Sequence, residues 1–172
     1  KLDYVMKAIT LTRQTLNGRV PLIGFAGAPW TIFCYMVEGQ GSKSFSLAKK
    51  FCYQYPDAAR HLMKEITRAT IEYLQAQVQA GAQALQVFDS WAGLLSPEDF
   101  NEWSLPYLLE ISAAISNTPH ILFAKGAWYG LERMAFKSQA SALGLGWDVS
   151  PEYAREKVGD RVSLQGNFDP AK

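Results

Sequence analysis

The sequence predicts an incomplete (β/α)8 barrel of the TIM type, an α/β fold with about five of the eight strands, and three observations carry that reading. Short apolar or β-branched runs alternate with helical patterns along the whole chain. Each run ends in a polar or glycine-containing patch: Ala26-Gly27, Asp89-Ser90-Trp91, Lys125-Gly126, Gly146-Trp147-Asp148 and Gly166-Asn167. The first of these turns, GFAGAPW, has G-x-x-G rather than G-x-G-x-x-G spacing, and Pro29 obstructs a phosphate cradle at a helix start. Strands separated by helices need crossover connections, hence a parallel sheet with both faces covered. Without a nucleotide loop the open doubly wound sheet loses its main sequence support. Polar strand ends match the catalytic face of a barrel instead. About three βα units would then be missing from a closed ring.

The elements follow in order. Leu2, Val5, Met6 and Ile9 recur at helical spacing, and Gly18 ends that segment. Val20 to Phe25 is a short apolar strand, Trp30 to Val37 a helix, and Gly39-Gln40-Gly41-Ser42 a loop. A shorter helix runs from Leu47 to Tyr53. Pro56-Asp57 opens the longest helix, whose stripe is Ala59, Leu62, Met63, Ile66, Thr70, Tyr73, Leu74 and Val78, with Gly81 as its stop. Ala84 to Phe88 is the second strand. Ser96-Pro97-Glu98-Asp99 is an N-terminal capping box, and Pro106 predicts a break in the helix that follows. His120 to Ala124 is the third strand, Leu131 to Ser138 a helix, and Ala142 to Leu145 a short strand. Ser150-Pro151-Glu152 caps another helix, and Val162 to Gln165 is the fifth strand.

With 17 basic and 16 acidic residues among 172, the formal charge is +1, so no global basic field points to nucleic acid. No apolar run approaches the roughly 18 residues of a membrane span, and no signal-peptide pattern is present. Cys34 and Cys52 sit in apolar helical contexts and read as buried thiols in a reducing compartment, which makes the cytoplasm the expected location. The chain opens on Lys1 without an initiator Met and reads as cut from something longer. Residues 1–172 are expected to form a single partial barrel domain, lacking N-terminal and C-terminal segments.

Strand alternation places Leu85 and Val87 on one face and Gln86, Phe88 and Ser90 on the other. Leu and Val suit the helix-packed outside, which turns Phe88 and Ser90 into the barrel mouth and Asp89 away from it. The plainer alternative makes Phe88 core and Ser90 a turn cap. Tyr35, one or two helical turns after GFAGAPW, either brings a phenol into the same mouth near Phe25 or simply packs. Neither His61 nor His120 has a Cys or His at metal spacing, so no metal site is expected. No Gly-x-Ser-x-Gly elbow signals a serine hydrolase. Asp89, Asp148 and Asp169 read as turn residues satisfying backbone donors, and Lys125 as a solvated strand-end lysine, with a Schiff-base lysine or an anion contact as the alternative.

The runs GFAGAPWTIFCYMVEGQGS, GAQALQVFDSWAG, ALGLGWDVS and LQGNFDP, in that order, resemble uroporphyrinogen decarboxylase of haem biosynthesis, and the resemblance covers essentially the whole chain. It implies a β/α barrel that acts as a cytoplasmic homodimer, uses no cofactor, and binds no nucleic acid or membrane. The implied reaction converts uroporphyrinogen III to coproporphyrinogen III by removing four acetate carboxyls as carbon dioxide. The family's essential Asp, which contacts the pyrrole N–H groups, and its carboxylate-binding Arg residues belong to N-terminal segments without a counterpart here. A substrate-contacting His near the family's C-terminus also has none. No catalytic residue is therefore expected within this chain.

The family's Tyr in YMVEG matches Tyr35 and its hydroxyl in FDSWAG matches Ser90; the flanking aromatics match Phe25 and Phe88. The resemblance implies Tyr35 and Ser90 as polar substrate contacts, Phe25 and Phe88 as apolar walls, and a supporting role for Tyr35 in placing the Asp. From the face that Ser90 shares with Phe88, Ser90→Ala in the complete enzyme is expected to weaken substrate handling more than Asp89→Ala. Two departures stand out: Ser90 where Thr is common, and Gly146 where an acid often precedes Trp147. The chain by itself is expected to be inactive. Two alternatives remain: a corrinoid-dependent methyltransferase relative, whose usual His-x-Cys zinc pattern is absent here, and a non-catalytic barrel fragment that binds or dimerises.

Overall fold

The computed structural model describes residues 2–172. Its sheet has five parallel strands in sequential order: β1 (Ile23–Gly27), β2 (Ala84–Asp89), β3 (His120–Ala124), β4 (Ala142–Gly144) and β5 (Ser163–Gln165). Every neighbour in space is the next strand in sequence, as in a (β/α)8 barrel, and β1 and β5 lie at opposite edges of the arc. The expected α/β partial barrel is what the chain forms.

Among the described residues, eight α-helices punctuate the strands. α1 (Asp3–Leu16) precedes β1; α2 (Pro29–Glu38), α3 (Ser46–Gln54) and α4 (Pro56–Gln79) form the first crossover. α5 (Pro97–Trp103) and α6 (Leu105–Ala114) form the second, α7 (Leu131–Lys137) the third and α8 (Pro151–Val158) the fourth. Several boundaries have visible local causes. Pro29, Pro56, Pro97 and Pro151 each sit in a first helical turn, where the missing N–H costs nothing. The Ser96 hydroxyl accepts from the Asp99 amide at 3.1 Å, and the Ser150 hydroxyl from the Tyr153 amide at 3.2 Å, so both predicted caps form. α4 stops where Gly81 adopts φ +118.

Some boundaries differ from the sequence reading. β1 runs Ile23–Gly27 rather than from Val20, because pairing begins at Ile23↔Ala84 and Val20 is left exposed. The break expected at Pro106 falls at Ser104, between α5 and α6, which leaves Pro106 in the first turn of α6. α1 carries its predicted stripe but fully buries none of it. It lies on α4, where the Thr10 hydroxyl donates to the Ala80 carbonyl at 2.9 Å.

The core lies between the sheet and the helices. Leu85, Val87, Leu122 and Leu143 are wholly buried on the helix side of their strands, against Phe33, Met63, Leu74, Leu108 and Ile111. Full burial of each such side chain contributes about 1.5–3 kcal/mol. The opposite, inner face of the arc presents Phe25, Gln86, Phe88, Ile121 and Phe123, all at least partly accessible. β1 is an edge strand, and the buried Gln77 side chain of α4 occupies that edge. Its amide accepts from the Phe25 N–H at 3.0 Å and donates to the Phe25 carbonyl at 2.8 Å. A helix side chain thus supplies what a neighbouring strand would, and holds the backbone under Phe25 in place.

Candidate functional site

The site is built on the strands' inner face and C-terminal ends. The Phe25 and Phe88 rings meet edge to face at 6.1 Å, and Phe88 meets Phe123 in the same way at 6.2 Å. Three strands therefore present one continuous aromatic row, with T-shaped packing that favours such contacts. Phe25 is 62% exposed although it is a large apolar group. The row is an open wall rather than a closed pocket, and it suits a flat apolar ligand laid against it.

Gly144 on β4 makes room for this row. A Cβ there would stand 2.8 Å from the Phe123 ring, so any side chain would push Phe123 out of line. The Gln86 amide donates to the Gln165 side chain at 3.3 Å on the same face and adds a polar margin toward β5. Sequence reasoning singled out neither Phe123 nor this glutamine pair. The same alternation that placed Phe88 would have found Phe123 and Ile121, since burial on β3 alternates residue by residue.

Asp89 falls on the Leu85/Val87 side, fully buried, and Ser90, the turn residue that follows β2, is partly accessible. Tyr35 is brought to the same end of the sheet by α2. Its ring packs edge-on against Trp91 at 6.2 Å and against Phe45 at 5.7 Å, while 44% of the residue stays exposed. Among the described residues, neither the Tyr35 nor the Ser90 hydroxyl has an intramolecular hydrogen bond, so both are free for a ligand. The indole N–H of Trp91 is likewise buried without a partner there. Gly93 lets the loop after β2 press on the loop after β3. Its amide donates to the Lys125 carbonyl at 2.9 Å, and a Cβ would come within 2.8 Å of Gly126.

Asp89 does more than the sequence expectation of a turn residue satisfying backbone donors. Its two carboxylate oxygens accept from the Thr31 hydroxyl at 2.7 Å and the Ser104 hydroxyl at 2.6 Å. Burial pushes its carboxyl up to about 6, and the hydrogen bonds from Ser104, Thr31 and the Trp91 amide oppose that rise. The other singled-out groups are plainer. Lys125 and Asp148 are exposed, as is His61. His120 is buried, with its ring nitrogens on the Ser112 hydroxyl at 2.7 Å and the Thr118 carbonyl at 2.9 Å. Cys34 and Cys52 are both free and buried, and burial raises each thiol. A Cβ at Gly146 would meet the Asp148 carboxylate at 2.3 Å, so an acid before Trp147 would require Asp148 to move.

The larger grooves lie elsewhere. One of about 590 Å³ runs beside the β1 edge between α2 and α4, lined by Phe25, Ile32, Met36, Leu62 and Tyr73. Another of about 460 Å³ separates α1 from α4, away from the strand ends. Only the first touches the aromatic row, through Phe25. Among the described residues no helix is long and apolar enough to cross a membrane.

A family model described as Uroporphyrinogen decarboxylase (URO-D) matches residues 1–172. The uroporphyrinogen decarboxylase of Flavobacterium johnsoniae is 55% identical over 172 residues, spanning 99% of this chain and 50% of its own. That of Schizosaccharomyces pombe is 52% identical over 180 residues, spanning 99% and 50%, and that of Danio rerio 50% identical over 179 residues, spanning 99% and 48%. The chain spans about half the length of the curated relatives it matches. Among solved structures, a methyltransferase from Methanosarcina mazei superposes with a TM-score of 0.82 at 25% identity, over 95% of this chain and 47% of that one.

Proposed function

The chain belongs to the uroporphyrinogen decarboxylase family, and from that membership we propose that the barrel it helps to build converts uroporphyrinogen III to coproporphyrinogen III. Phe25 and Phe88 serve as walls for the macrocycle, extended by Phe123, and Tyr35 and Ser90 as polar contacts to it. The observation that carries this reading is the aromatic row across β1, β2 and β3, with two free hydroxyls at its C-terminal end. A tetrapyrrole is broad, apolar in its rings and carboxylated at its rim. A wall bordered by hydroxyl donors answers both properties.

The chemistry asks little else of these residues. Protonation of a pyrrole carbon makes the ring an electron sink. The bond between the acetate methylene and its carboxylate then breaks, carbon dioxide leaves, and the electron pair enters the ring. A proton delivered to the methylene carbon completes the methyl group, and loss of the ring proton restores the pyrrole. The substrate supplies the sink that a cofactor supplies elsewhere. The protein must hold the macrocycle and stabilise the cation as it develops, which in this family is the task of an essential Asp. Asp89 does not fill that role: it lies behind the wall with both oxygens engaged. The 172 residues alone are accordingly inactive in this proposal, and the working protein is a cytoplasmic homodimer. The methyltransferase alternative has a likeness at 25% identity over 95% of this chain, against 55% over 99% for a decarboxylase.

The test is a titration of this chain with uroporphyrin III, followed by porphyrin fluorescence. The chain should bind saturably, and Ser90→Ala and Tyr35→Phe should each weaken binding by up to about tenfold, the worth of one hydrogen bond. Absence of saturable binding to the unsubstituted chain would overturn the site assignment. Coproporphyrinogen formed from uroporphyrinogen III by the chain alone would overturn its inactivity.

A further inference from the structure

We propose that Asp89 is a positioning residue: its carboxylate ties α2, which carries Tyr35, to the end of β2, which carries Ser90, and so fixes how far apart the two ligand-facing hydroxyls stand. The proposal rests on the tetrapyrrole reading for what those hydroxyls hold, but not for the tie itself.

One carboxylate oxygen accepts from Thr31, in the first turn of α2; the other accepts from Ser104, at the α5–α6 break. The Thr31 oxygen in turn accepts from the Trp91 amide at 3.4 Å, so the residue after Ser90 is drawn into the same network. Tyr35 follows Thr31 by four residues, one helical turn along the same side of α2, and its ring rests on Trp91. The Trp30 indole N–H donates to the Trp91 carbonyl at 3.2 Å and adds a second link between α2 and this loop. The Ala28 amide at the start of α2 also donates to the Phe88 carbonyl at 2.8 Å, so backbone pairing fixes the start of the helix, while the side-chain links between Tyr35 and the Ser90 turn run through Asp89, Thr31 and Trp91.

A carboxylate is a costly filling for this space. Asp89 is wholly buried in a layer formed otherwise by Leu85, Val87, Ala92 and Leu108, and an apolar residue would pack there without desolvating a charge. An apolar residue would not hold two hydroxyls on separate helices at once, because that requires two acceptor oxygens pointing in different directions. Asp89 combines the acceptors with the right location, directly before Ser90.

The experiment uses the 172-residue chain with Asp89→Ala, Asp89→Asn and Thr31→Val. It reads uroporphyrin III affinity and site-resolved amide hydrogen exchange. Asp89→Ala should raise exchange at the Trp91 amide by about tenfold or more while the Leu122 amide in β3 stays within about twofold. It should also weaken porphyrin binding by the folded protein about threefold, less than Ser90→Ala does. Thr31→Val should do the same to a smaller degree, and Asp89→Asn, which keeps an acceptor for Thr31, should recover most of both losses. Equal acceleration at Trp91 and Leu122 would mean a general loss of stability and would overturn the proposal, as would unchanged exchange at Trp91. Unchanged affinity in Asp89→Ala with localised exchange would also overturn it, since the tie would then not set the ligand geometry. If the unsubstituted chain binds no porphyrin, the tetrapyrrole reading fails, and the exchange data alone decide for or against the tie.

Discussion

The charge on Asp89 should cost the fold stability at neutral pH, and Asp89→Asn should recover it. The carboxyl is fully buried and its protonation midpoint stands at about 6, against 3.8 for an ordinary aspartate. The folded protein therefore keeps this proton up to about pH 6, whereas the unfolded chain releases it near pH 4. Between those values the folded state binds more protons, so the contribution of Asp89 to stability falls as pH rises through the window and is at its lowest above about pH 7. The full difference corresponds to about 3 kcal/mol. The amide has no charge to desolvate. It can accept from Thr31 and donate to the Ser104 oxygen once that hydroxyl turns, so the exchange preserves the packing. Urea denaturation of both proteins at pH 5 and pH 7.5 isolates the effect, since every other titrating group is common to the pair. The variant should gain on the unsubstituted chain by about 1–1.5 kcal/mol between the two pH values, the part of the difference that lies above pH 5. Identical pH dependence in the two proteins would refute the reasoning.

Three further outcomes follow from single contacts. His120, buried against Ser112 and Thr118, is held below its ordinary value of 6.5 by desolvation, with the Thr118 hydrogen bond opposing. The unfolded chain then binds the extra proton first, so the unsubstituted chain should lose stability relative to His120→Gln as pH drops below about 6.5, by denaturation of both at pH 7.5 and 5.5. Gly144→Ala, with its methyl 2.8 Å from the Phe123 ring, should lower stability by about 1–3 kcal/mol and weaken porphyrin binding, by calorimetry and fluorescence titration. Leu122→Ala removes a wholly buried side chain between sheet and helices and should cost about 2–5 kcal/mol in chemical denaturation.

Much of the architecture was legible in local pattern. β3 falls on His120–Ala124, where alternating burial meets a β-branched and aromatic run, and α4 starts at Pro56 and stops before Gly81 because proline and glycine dictate both ends locally. The start of β1 was less legible, because strand ends are set by where a partner begins, here Ala84 across the ladder. The side on which Asp89 lies was readable from a period of two. What Asp89 does there was not readable. Its partners come from 58 residues earlier and 15 residues later, and no local pattern announces that two hydroxyls will converge on one carboxylate. Phe123 carries no motif of its own, and only its position beside Phe88 in the paired register makes it part of the wall.

The central claim is that the inner face of β1–β3, rather than the grooves outside it, receives the tetrapyrrole. Chemical-shift mapping of this chain with uroporphyrin III tests it most directly, because ring-current shifts fall off steeply from the bound macrocycle. The account predicts the largest shifts at Phe25, Phe88, Ser90 and Phe123, with Tyr35 close behind and the α1–α4 groove around Met6 and Gln79 unaffected. Shifts concentrated on Met36, Leu62 and Tyr73 in the groove beside β1, with the Phe88 and Phe123 rings unmoved, would contradict it.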